Sequence, residues 1–583
     1  MKTLARLREA ASRALRLDRR GPARKFVDRA VALAGADGAP PVFATPFLSI
    51  VVPAYDAPTR YLDELVASVR AQAKGAWELI LSDDASSSAA TRAWLDARAS
   101  EPDLRILRAE RNGGIASALS AGIAAATAPW TTFVDHDDAL APHALDRIAR
   151  ALSANPDCQF LFTDEVVTDA DLAPVDLFLK PAFDPVLLSG VNYVNHLSVF
   201  RTDRLKSLGG VRLGLDGSQD YDLLLRYCAG LAPRQTLHLP YPAYLWRRDG
   251  RSYSVANAGK ATAAARRALL EAWRPSGATE VTAAQGDLHR VRFDGAEVRW
   301  PKVSVIVPNK DAFELVSRTL DGVMTKTDYP DIEVVVVDNG SRDQRTLDLY
   351  RRLEAGRTPF RAIVEDGPFD FAAAINRGVA AADGEILLLL NNDIEIPDAG
   401  WLKEMASCFA YPDVGVVGAK LLYPDRTIQH AGVMVGFGGL AGHWYLNRPA
   451  DFPGPMGRLR VRQSMSAVTG ACMAISRAAW ERVGPLDEAR FKIAYNDVDF
   501  CLRAREAGFR VVWSPFATLV HHESASRGSD ETPQNVERFR REQDALRERH
   551  RTDRFEDPAI NPWYTKDRSE PEWATLPRLP DPR

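Results

Sequence analysis

The sequence predicts an α/β protein made of two tandem domains, each with a mostly parallel sheet, behind an N-terminal helical extension. The first observation is a repeat: LSIVVPAYD at Leu48–Asp56 returns as VSVIVPNKD at Val303–Asp311, and ELILSDDASS at Glu78–Ser87 returns as EVVVVDNGSR at Glu333–Arg342. Pro53 and Pro308 stand at the same offset as Asp83 and Asp338, and Asp137 and Asp393 are one residue further apart. The second observation is local. In both copies a short β-branched run meets a turn-forming cluster and then a helical pattern, which is the signature of alternating βα units. A chain of 583 residues has room for several domains at roughly 100–200 residues each, and the repeat selects two.

Bulk properties exclude several classes. A net charge of −3 argues against nucleic acid as a partner, because phosphate-binding surfaces leave strongly basic domains. Cys158, Cys228, Cys408, Cys472 and Cys501 are scattered with no CxxC spacing, so they read as reduced core filler and not as a disulfide frame or zinc site. No apolar run is long enough to span a bilayer, and the N-terminus lacks a signal peptide's apolar core. The expected location is cytoplasmic, with peripheral contact at the inner face of the membrane as an added option.

Residues 1–45 form the basic extension. Leu4, Leu7, Ala11 and Leu15 recur at helical spacing within a cationic rim that includes Lys2, Arg6, Arg8, Arg13 and Arg16. This is a helix that packs on the first domain or, alternatively, lies on an anionic membrane surface. The first domain, 46–255, opens with buried strands at Ser49–Val52, Leu79–Ser82 and Thr131–Val134. A connector, 256–300, has a helical pattern over Ala256–Trp273, a break at Pro275–Gly277 and an alternating segment at His289–Trp300. The second domain, 301–530, repeats the strands at Val303–Val307, Glu333–Val337 and Ile386–Leu390. Residues 531–583 are a C-terminal helix and a Pro-rich tail that hugs the surface or is partly disordered. The strands read as continuous apolar runs, as strands buried on both faces do. Ligands of such sheets sit beyond the carboxyl ends of the strands, where Asp83, Asp137, Asp338 and Asp393 fall.

Asp135, Asp137 and Asp138 crowd one loop of the first copy, and carboxylates so close repel unless a cation neutralises them. Mg²⁺ or Mn²⁺ meets that need with one or two carboxylates, completing its shell with diphosphate oxygens and water. The matching loop of the second copy holds Asn391, Asn392, Asp393 and Glu395. The alternative for either loop is a capped strand-to-helix turn.

Taken in order, these motifs resemble the GT-A glycosyltransferases of family 2, the inverting sugar-nucleotide enzymes of bacterial polysaccharide, O-antigen and rhamnosyl-type transfer. The resemblance covers residues 46–255 and 300–530 and implies two Rossmann-like GT-A domains. Pro53 with Tyr55, and Pro308 with Asn309, look like the first-strand segment that contacts the nucleobase. Asp83 and Asp338 look like the carboxylate that reads the base edge and ribose. Asn112, before Gly113 and Gly114, is similar to the family's turn near the ribose, and Asn376 in FDFAAAINRG matches a family asparagine. SQDYDLLLR at Ser218–Arg226 and YNDVDFCLR at Tyr495–Arg503 look like the signature that carries the base, which makes Asp220 and Asp497 the catalytic candidates. Asp222 and Asp499 are then acceptor-side groups or, alternatively, partners of the helix dipole.

HHES at His521–Ser524 is similar to the family's closing motif, in which a histidine completes the metal shell. The metal set implied is Asp135, Asp137, Asp393 and His521, with His522 the second choice. In the first copy the corresponding position is Leu245, so either Asp135 and Asp137 act alone or Arg247 and Arg248 share the diphosphate charge. His196 and His238 read as core or surface residues. Thr469 and Gly470 in VTGACMAI, and His430 in KLLYPDRTIQHAGV, fall in acceptor-side segments, as do TDE at Thr163–Glu165 and FLKPAFDP at Phe178–Pro185 in the first copy. The expected function is a bifunctional inverting transferase. It uses UDP, dTDP or GDP sugars and extends a cell-surface glycan, lipid-linked or free. The alternative makes only the second domain catalytic and the first a glycan-binding or structural module. A nucleotidyltransferase is disfavoured because neither PAYDAPTR nor PNKDAFEL is a glycine- and lysine-rich phosphate loop.

Overall fold

The computed structural model describes residues 20–38, 41–248, 258–295, 298–522 and 533–578. The helix expected around Leu4–Leu15 and the end of the HHES motif lie outside them. The chain divides into two compact units, Met1–Phe183 with Asn192–Ala272, and Asp184–Val191 with Trp273–Arg583. The connector is therefore shared. Its helix, Ala258–Trp273, lies in the first unit up to Ala272, and the antiparallel hairpin of Glu280–Ala283 with His289–Arg292 belongs to the second.

In the first unit the sheet runs through strands Leu104–Arg108, Trp77–Asp83, Leu48–Ala54, Trp130–Phe133, Ser198–Arg201, Phe160–Thr168, Thr236–Arg247 and Ala139–Leu140. In the second the order is Phe360–Val364, Ile332–Asp338, Val303–Asn309, Ile386–Leu390, Cys472–Ser476, Val414–Leu422, Arg510–His521 and Ile394–Glu395, the same path strand for strand. The first four strands of each order are parallel, as helical crossovers require. Beyond them the sheet is mixed, with antiparallel pairs at Trp130–Phe133 with Ser198–Arg201 and at Ile386–Leu390 with Cys472–Ser476. The mostly parallel sheet thus describes the half of each unit that carries the βα repeat.

Register places the carboxylates. Ala54 pairs with Asp83 and Asn309 with Asp338, so each acid ends its strand beside the first strand's own end. Helices Ile115–Ala125 and Phe371–Ala380 cover this edge with a glycine at the same place. A Cβ on Gly122 would lie 2.2 Å from Val51 Cγ1, and one on Gly378 would lie 2.4 Å from Ile306 Cγ2.

Helix Arg20–Ala36 buries Ala23, Phe26, Ala30 and Ala34, a single helical stripe. In the second unit the core includes Leu546 from helix Pro533–His550 and Ala559 and Ile560 from the tail, and Trp563 is 2% exposed. Val435 N–H donates to Asp557 Oδ2 and Tyr445 N–H to Ser569 O, so the described tail packs along the segment Val433–Tyr445. Among the described residues no helix is long and apolar enough to cross a membrane.

Candidate active site

The second unit holds a cavity of ≈ 700 Å³ at the carboxyl ends of its strands. Pro308 and Asn309 reach it from the first strand, Asp393 from the loop after Ile386–Leu390, and His521 from the last residue of strand Arg510–His521. Thr469 and Gly470 come from the turn before Cys472–Ser476, and Asp497 from the first turn of helix Asn496–Glu506. Asp338, Asn376, His430 and Asp499 are not among its walls.

Asp393 is buried, and among the described residues its Oδ1 has no hydrogen-bond donor. That oxygen lies 3.0 Å from His521 Nε2. His521 Nδ1 is 2.7 Å from Gln429 Oε1, an acceptor that holds the ring proton on Nδ1 and leaves Nε2 as a lone pair. Asn391 Nδ2 donates to that lone pair at 3.2 Å, while Asp393 Oδ1 beside it stays bare, a costly arrangement unless a cation lies against it. Adjacent ligands of an octahedral ion at ~2.1 Å are ~3.0 Å apart, so the pair fits Mg²⁺ or Mn²⁺. Among the described residues no three His, Cys, Asp or Glu side chains are placed to hold a metal ion together, which leaves the rest of such a shell to diphosphate oxygens and water. His522 pairs with Glu395 at 2.9 Å and with Arg318 at 3.1 Å, away from Asp393 Oδ1.

Asp497 Oδ2 accepts from Gly470 N–H at 2.8 Å, and Oδ1 accepts from Val498 N–H at 2.8 Å. Asp499, two residues on, has a different task. It is buried and binds Arg503 at 2.8 Å, His550 at 2.9 Å and Arg549 at 3.1 Å. The acceptor-side expectation for Asp499 is corrected, because its oxygens tie helix Asn496–Glu506 to the C-terminal helix. That helix also lines the cavity through Asn535, Arg538 and Phe539, with Phe539 stacked on Tyr495 at 5.7 Å. Its Glu542 accepts from Ile493 and Ala494 N–H, just ahead of Asp497. Sequence reading missed this wall and also Gln429 and His443.

On the nucleotide side Asp338 is 1% exposed. It accepts from Ser341 N–H and Oγ–H, both at 2.6 Å, from Tyr350 Oη–H at 2.6 Å and from Asn309 Nδ2 at 3.1 Å. Asn309 in turn accepts from Asn392 Nδ2 at 2.7 Å, which couples the first strand to the loop that carries Asp393. Asn376 makes a two-way bond with the Leu486 backbone, 2.9 Å in each direction. Both faces of its amide are engaged in packing.

The first unit repeats the plan with different chemistry. Asp83 accepts from Ser86 Oγ–H at 2.5 Å, and Asp84 accepts from Gly113 and Gly114 N–H at 2.8 and 2.7 Å, leaving Asn112 exposed. Pro53 O contacts His136 Nδ1 at 3.3 Å, and Tyr55 is exposed. Asp138 is buried under Tyr244 Oη–H and Arg247 N–H, each at 2.7 Å. Desolvation, then Asp135 and Asp137, push its carboxyl well above the usual range. Asp137 accepts from Arg247 only through its carbonyl. With Asp137 matched to Asp393, Ala139 matches Glu395; Leu245 pairs with Ala139 as Val520 pairs with Glu395, so the expectation for Leu245 is corrected and Trp246 occupies the register of His521. Arg247 is buried on Glu64, Ala170 O and Asp137 O. The idea that it shares diphosphate charge is corrected, since its side chain is buried with a hydrogen bond on each guanidinium nitrogen, and Arg248 lies 4.9 Å over Trp246.

His196, read from sequence as a core or surface residue, instead stands 3.8 Å from Asp135 and 3.2 Å from Glu165. Desolvation opposes its charge, but the hydrogen bond and charge of Glu165, with Asp135 and Asp138, lift it to about 9. Asp220 accepts from Asn192 Nδ2 at 3.1 Å and from Asn195 Nδ2. Burial raises its carboxyl, against His196. Asp222 binds Arg212 and Arg226 and, like Asp499, is corrected to a packing role.

A family model described as glycosyl transferase family 2 matches residues 49–175 and 304–484, one region in each unit and together more than half of the chain. Among curated relatives, the uncharacterized protein y4gI of Sinorhizobium fredii is 38% identical over 543 residues, covering 92% of this chain and 60% of that protein. The O-antigen biosynthesis protein RfbC of Myxococcus xanthus is 38% identical over 494 residues, covering 84% of this chain and 38% of that protein. The chain thus spans less than two thirds of either relative. Among solved structures, the mannosyltransferase PcManGT from Pyrobaculum calidifontis, in complex with GDP-Man and Mn²⁺, covers 38% of this chain and 57% of that one, at 22% identity and a TM-score of 0.30. On the two matched regions, the chain belongs to glycosyl transferase family 2.

Proposed function

We propose that the chain is a bifunctional inverting glycosyltransferase that moves sugars from UDP, dTDP or GDP donors onto a growing cell-surface glycan. One observation carries the reading: Asp393, His521 and Asp497 reach a single cavity from three separate elements. The nucleotide lies by Pro308 and Asn309, and its diphosphate faces Asp393 and His521. Mg²⁺ or Mn²⁺ held by that pair supplies Lewis-acid stabilisation of the leaving diphosphate. Asp497 takes the proton of the acceptor hydroxyl as its oxygen attacks C1 opposite the departing diphosphate. Each Asp497 oxygen accepts one backbone N–H, and a carboxylate oxygen has a second lone pair for the proton. The gathering of donors at Asp338 orders the nucleotide end before substrate arrives. The Myxococcus relative's name, O-antigen biosynthesis protein, supports a glycan acceptor. A lipid-linked acceptor would put the protein at the cytoplasmic face of a membrane.

Asp220 plays the base in the first unit, with Asp83 on the nucleotide side and Asp135 and Asp137 at the diphosphate. Tethering the sites raises the effective concentration of the first product for the second reaction. The test is a pair of variants, Asp220→Asn and Asp497→Asn, assayed for donor consumption and product length. Each should remove one sugar addition. If Asp220→Asn changes neither measure, bifunctionality is lost.

A second reading keeps only the second unit catalytic. The observation that favours it is His196. Beside Asp135, where the second unit has Ala471 in the turn ahead of the matching strand, the first unit supplies its own imidazolium and has Trp246 in the register of His521. The same two variants separate the readings.

A further inference from the structure

Glu165, in strand Phe160–Thr168, and Lys180, just past strand Pro174–Phe178, are both buried, with Lys180 Nζ 3.6 Å from Glu165 Oε1. Together they grip one loop of the first unit through both its acceptors and its donors. Lys180 Nζ donates to Val194 O at 2.9 Å and to His196 O at 2.5 Å. Glu165 Oε2 accepts from His196 N–H at 3.1 Å and lies 3.2 Å from His196 Nδ1. The residue between those two carbonyls is Asn195. Its Nδ2 donates to Asp220, where Asn192 Nδ2 also donates at 3.1 Å, and its Oδ1 accepts from Ser198 Oγ–H at 3.3 Å.

The second unit has neither charge at the matching positions. Trp130 pairs with Arg201 as Ile386 pairs with Ser476, so Asn195 occupies the register of Gly470. Glu165 pairs with Phe178 and Tyr244. Leu421 pairs with His430, just past a bulge at Gln429, and with Leu519. Glu165 therefore matches Leu421, and Lys180 matches Gly432, each the second residue beyond its strand. The consequence lies at Asp220. In the second unit Gly470 gives Asp497 its own N–H, a donor fixed by the main chain. The first unit gives Asp220 a side-chain amide, whose torsions are free unless the peptide that carries it is anchored. A buried ion pair seldom adds net stability over apolar residues of similar size, and Leu421 with Gly432 shows the same fold standing without one.

We propose that Glu165 and Lys180 are the positioning residues of the first active site: they fix the backbone on either side of Asn195, so that the Asn195 amide holds Asp220 toward the acceptor hydroxyl. The inference rests on the reading of the first unit as a transferase and adds the groups that set its base. Both charges are buried, and both act through Asn195. A misplacement of about 1 Å at a reacting group costs on the order of 10²-fold in rate, so a pair with little effect on stability can govern turnover.

The test uses the full chain carrying Asp497→Asn, which leaves transfer to the first unit, with a panel of UDP, dTDP and GDP sugars as donors and p-nitrophenyl hexosides as acceptors. The pair variant adds Glu165→Leu and Lys180→Met, which removes both charges together and leaves no lone buried charge. Its first unit should melt as the parent does. Its kcat should fall about tenfold or more, while the donor KM stays within about twofold. The acid limb of its kcat profile should move to higher pH, because a carboxylate that loses an amide donor takes up a proton more readily. His196 and Asp135 also face Asp220, and Asn195→Ala, which leaves Glu165 and Lys180 holding His196, isolates the share of the amide. It should lower kcat and move the limb in the same direction, and adding it to the pair variant should cost little more, as for groups acting along one path. An unchanged kcat in the pair variant, a loss carried by the donor KM, or a full further loss on adding Asn195→Ala overturns the inference and leaves the first unit a transferase. A pair variant whose first unit does not fold assigns the pair to stability and overturns it as well. An Asp497→Asn parent that transfers no sugar overturns the inference and the reading of the first unit together.

Discussion

Asp393 Oδ1 lies 3.0 Å from His521 Nε2 and among the described residues has no hydrogen-bond donor of its own, and Gln429 keeps the His521 proton on the far nitrogen. Titrating the chelated protein with Mn²⁺ should give one site in the second unit. His521→Ala should abolish it. Gln429→Leu, which only frees the ring, should weaken it about 10–100-fold, the usual cost of losing an outer-shell partner of a metal-bound histidine. Mn²⁺ affinity, read by paramagnetic relaxation of water protons, checks both. If Gln429→Leu binds as tightly as wild type, the amide is not what sets the tautomer.

The C-terminal helix should act on Asp497, the proposed base, through Glu542. This carboxylate is buried, accepts from Ile493 and Ala494 N–H, and pairs with Arg538 at 2.6 Å. Glu542→Ala takes this acceptor from those two amides and removes the ion pair with Arg538, a loss of about 3 kcal/mol. It also loosens the segment leading into Asp497. Calorimetry should show the second unit melting earlier. At a temperature where the variant is still folded, kcat should fall more than the donor KM changes.

Two histidines give the units opposite pH responses in chelated protein. His196 is raised to about 9, so its contribution is complete below the unfolded value of about 6.5 and is lost as pH rises through 9. With a shift of about 2.5 units, that is on the order of 3 kcal/mol at most. His430 is depressed, so its contribution is complete above about 6.5 and is lost as pH falls below it. Thermal melts from pH 5 to 9.5 should show the first unit weakening at the alkaline end and the second at the acid end. His196→Gln and His430→Leu should each flatten one of the two slopes.

The parts of this site that were legible in the sequence share one property: their signal is local. Strand ends, acidic loops and the turn before the base helix are marked by apolar runs stopping at Asp, and the repeat doubled each mark. The parts that were not legible are set by distant partners. Gln429 matters because a bulge turns it toward a histidine 92 residues away, and no periodicity announces a bulge. Nothing in the sequence placed helix Pro533–His550 at the cavity, because two of its buried anchors are Glu542 and His550. Such polar anchors are neutralised by ion pairs and leave no apolar stripe. His196 was discounted for the same reason, since only the fold brings it to Glu165 and Asp135. Asp222 and Asp499 erred the other way: they belong to a catalytic-looking motif, yet arginines claim them.

The duplicated glycines offer a stability test that separates the units without touching chemistry. Gly122 and Gly378 lie where a covering helix meets the first strand of its sheet, and an added Cβ would meet Val51 or Ile306 at well under contact distance. Neither glycine has the left-handed backbone that would itself exclude alanine, and alanine is the better helix former by about 1 kcal/mol. Propensity alone therefore favours the substitution, and packing opposes it. Forcing a methyl into a close-packed contact costs about 1–3 kcal/mol, so packing should win. Gly122→Ala should lower the melting transition of the first unit alone and Gly378→Ala that of the second. Because these helices stand behind the strand ends at Asp83 and Asp338, each variant should also raise the donor KM of its own site. A Gly378→Ala protein that melts at or above the wild-type temperature would mean that the helix can shift outward, and that this contact does not set the position of the nucleotide end.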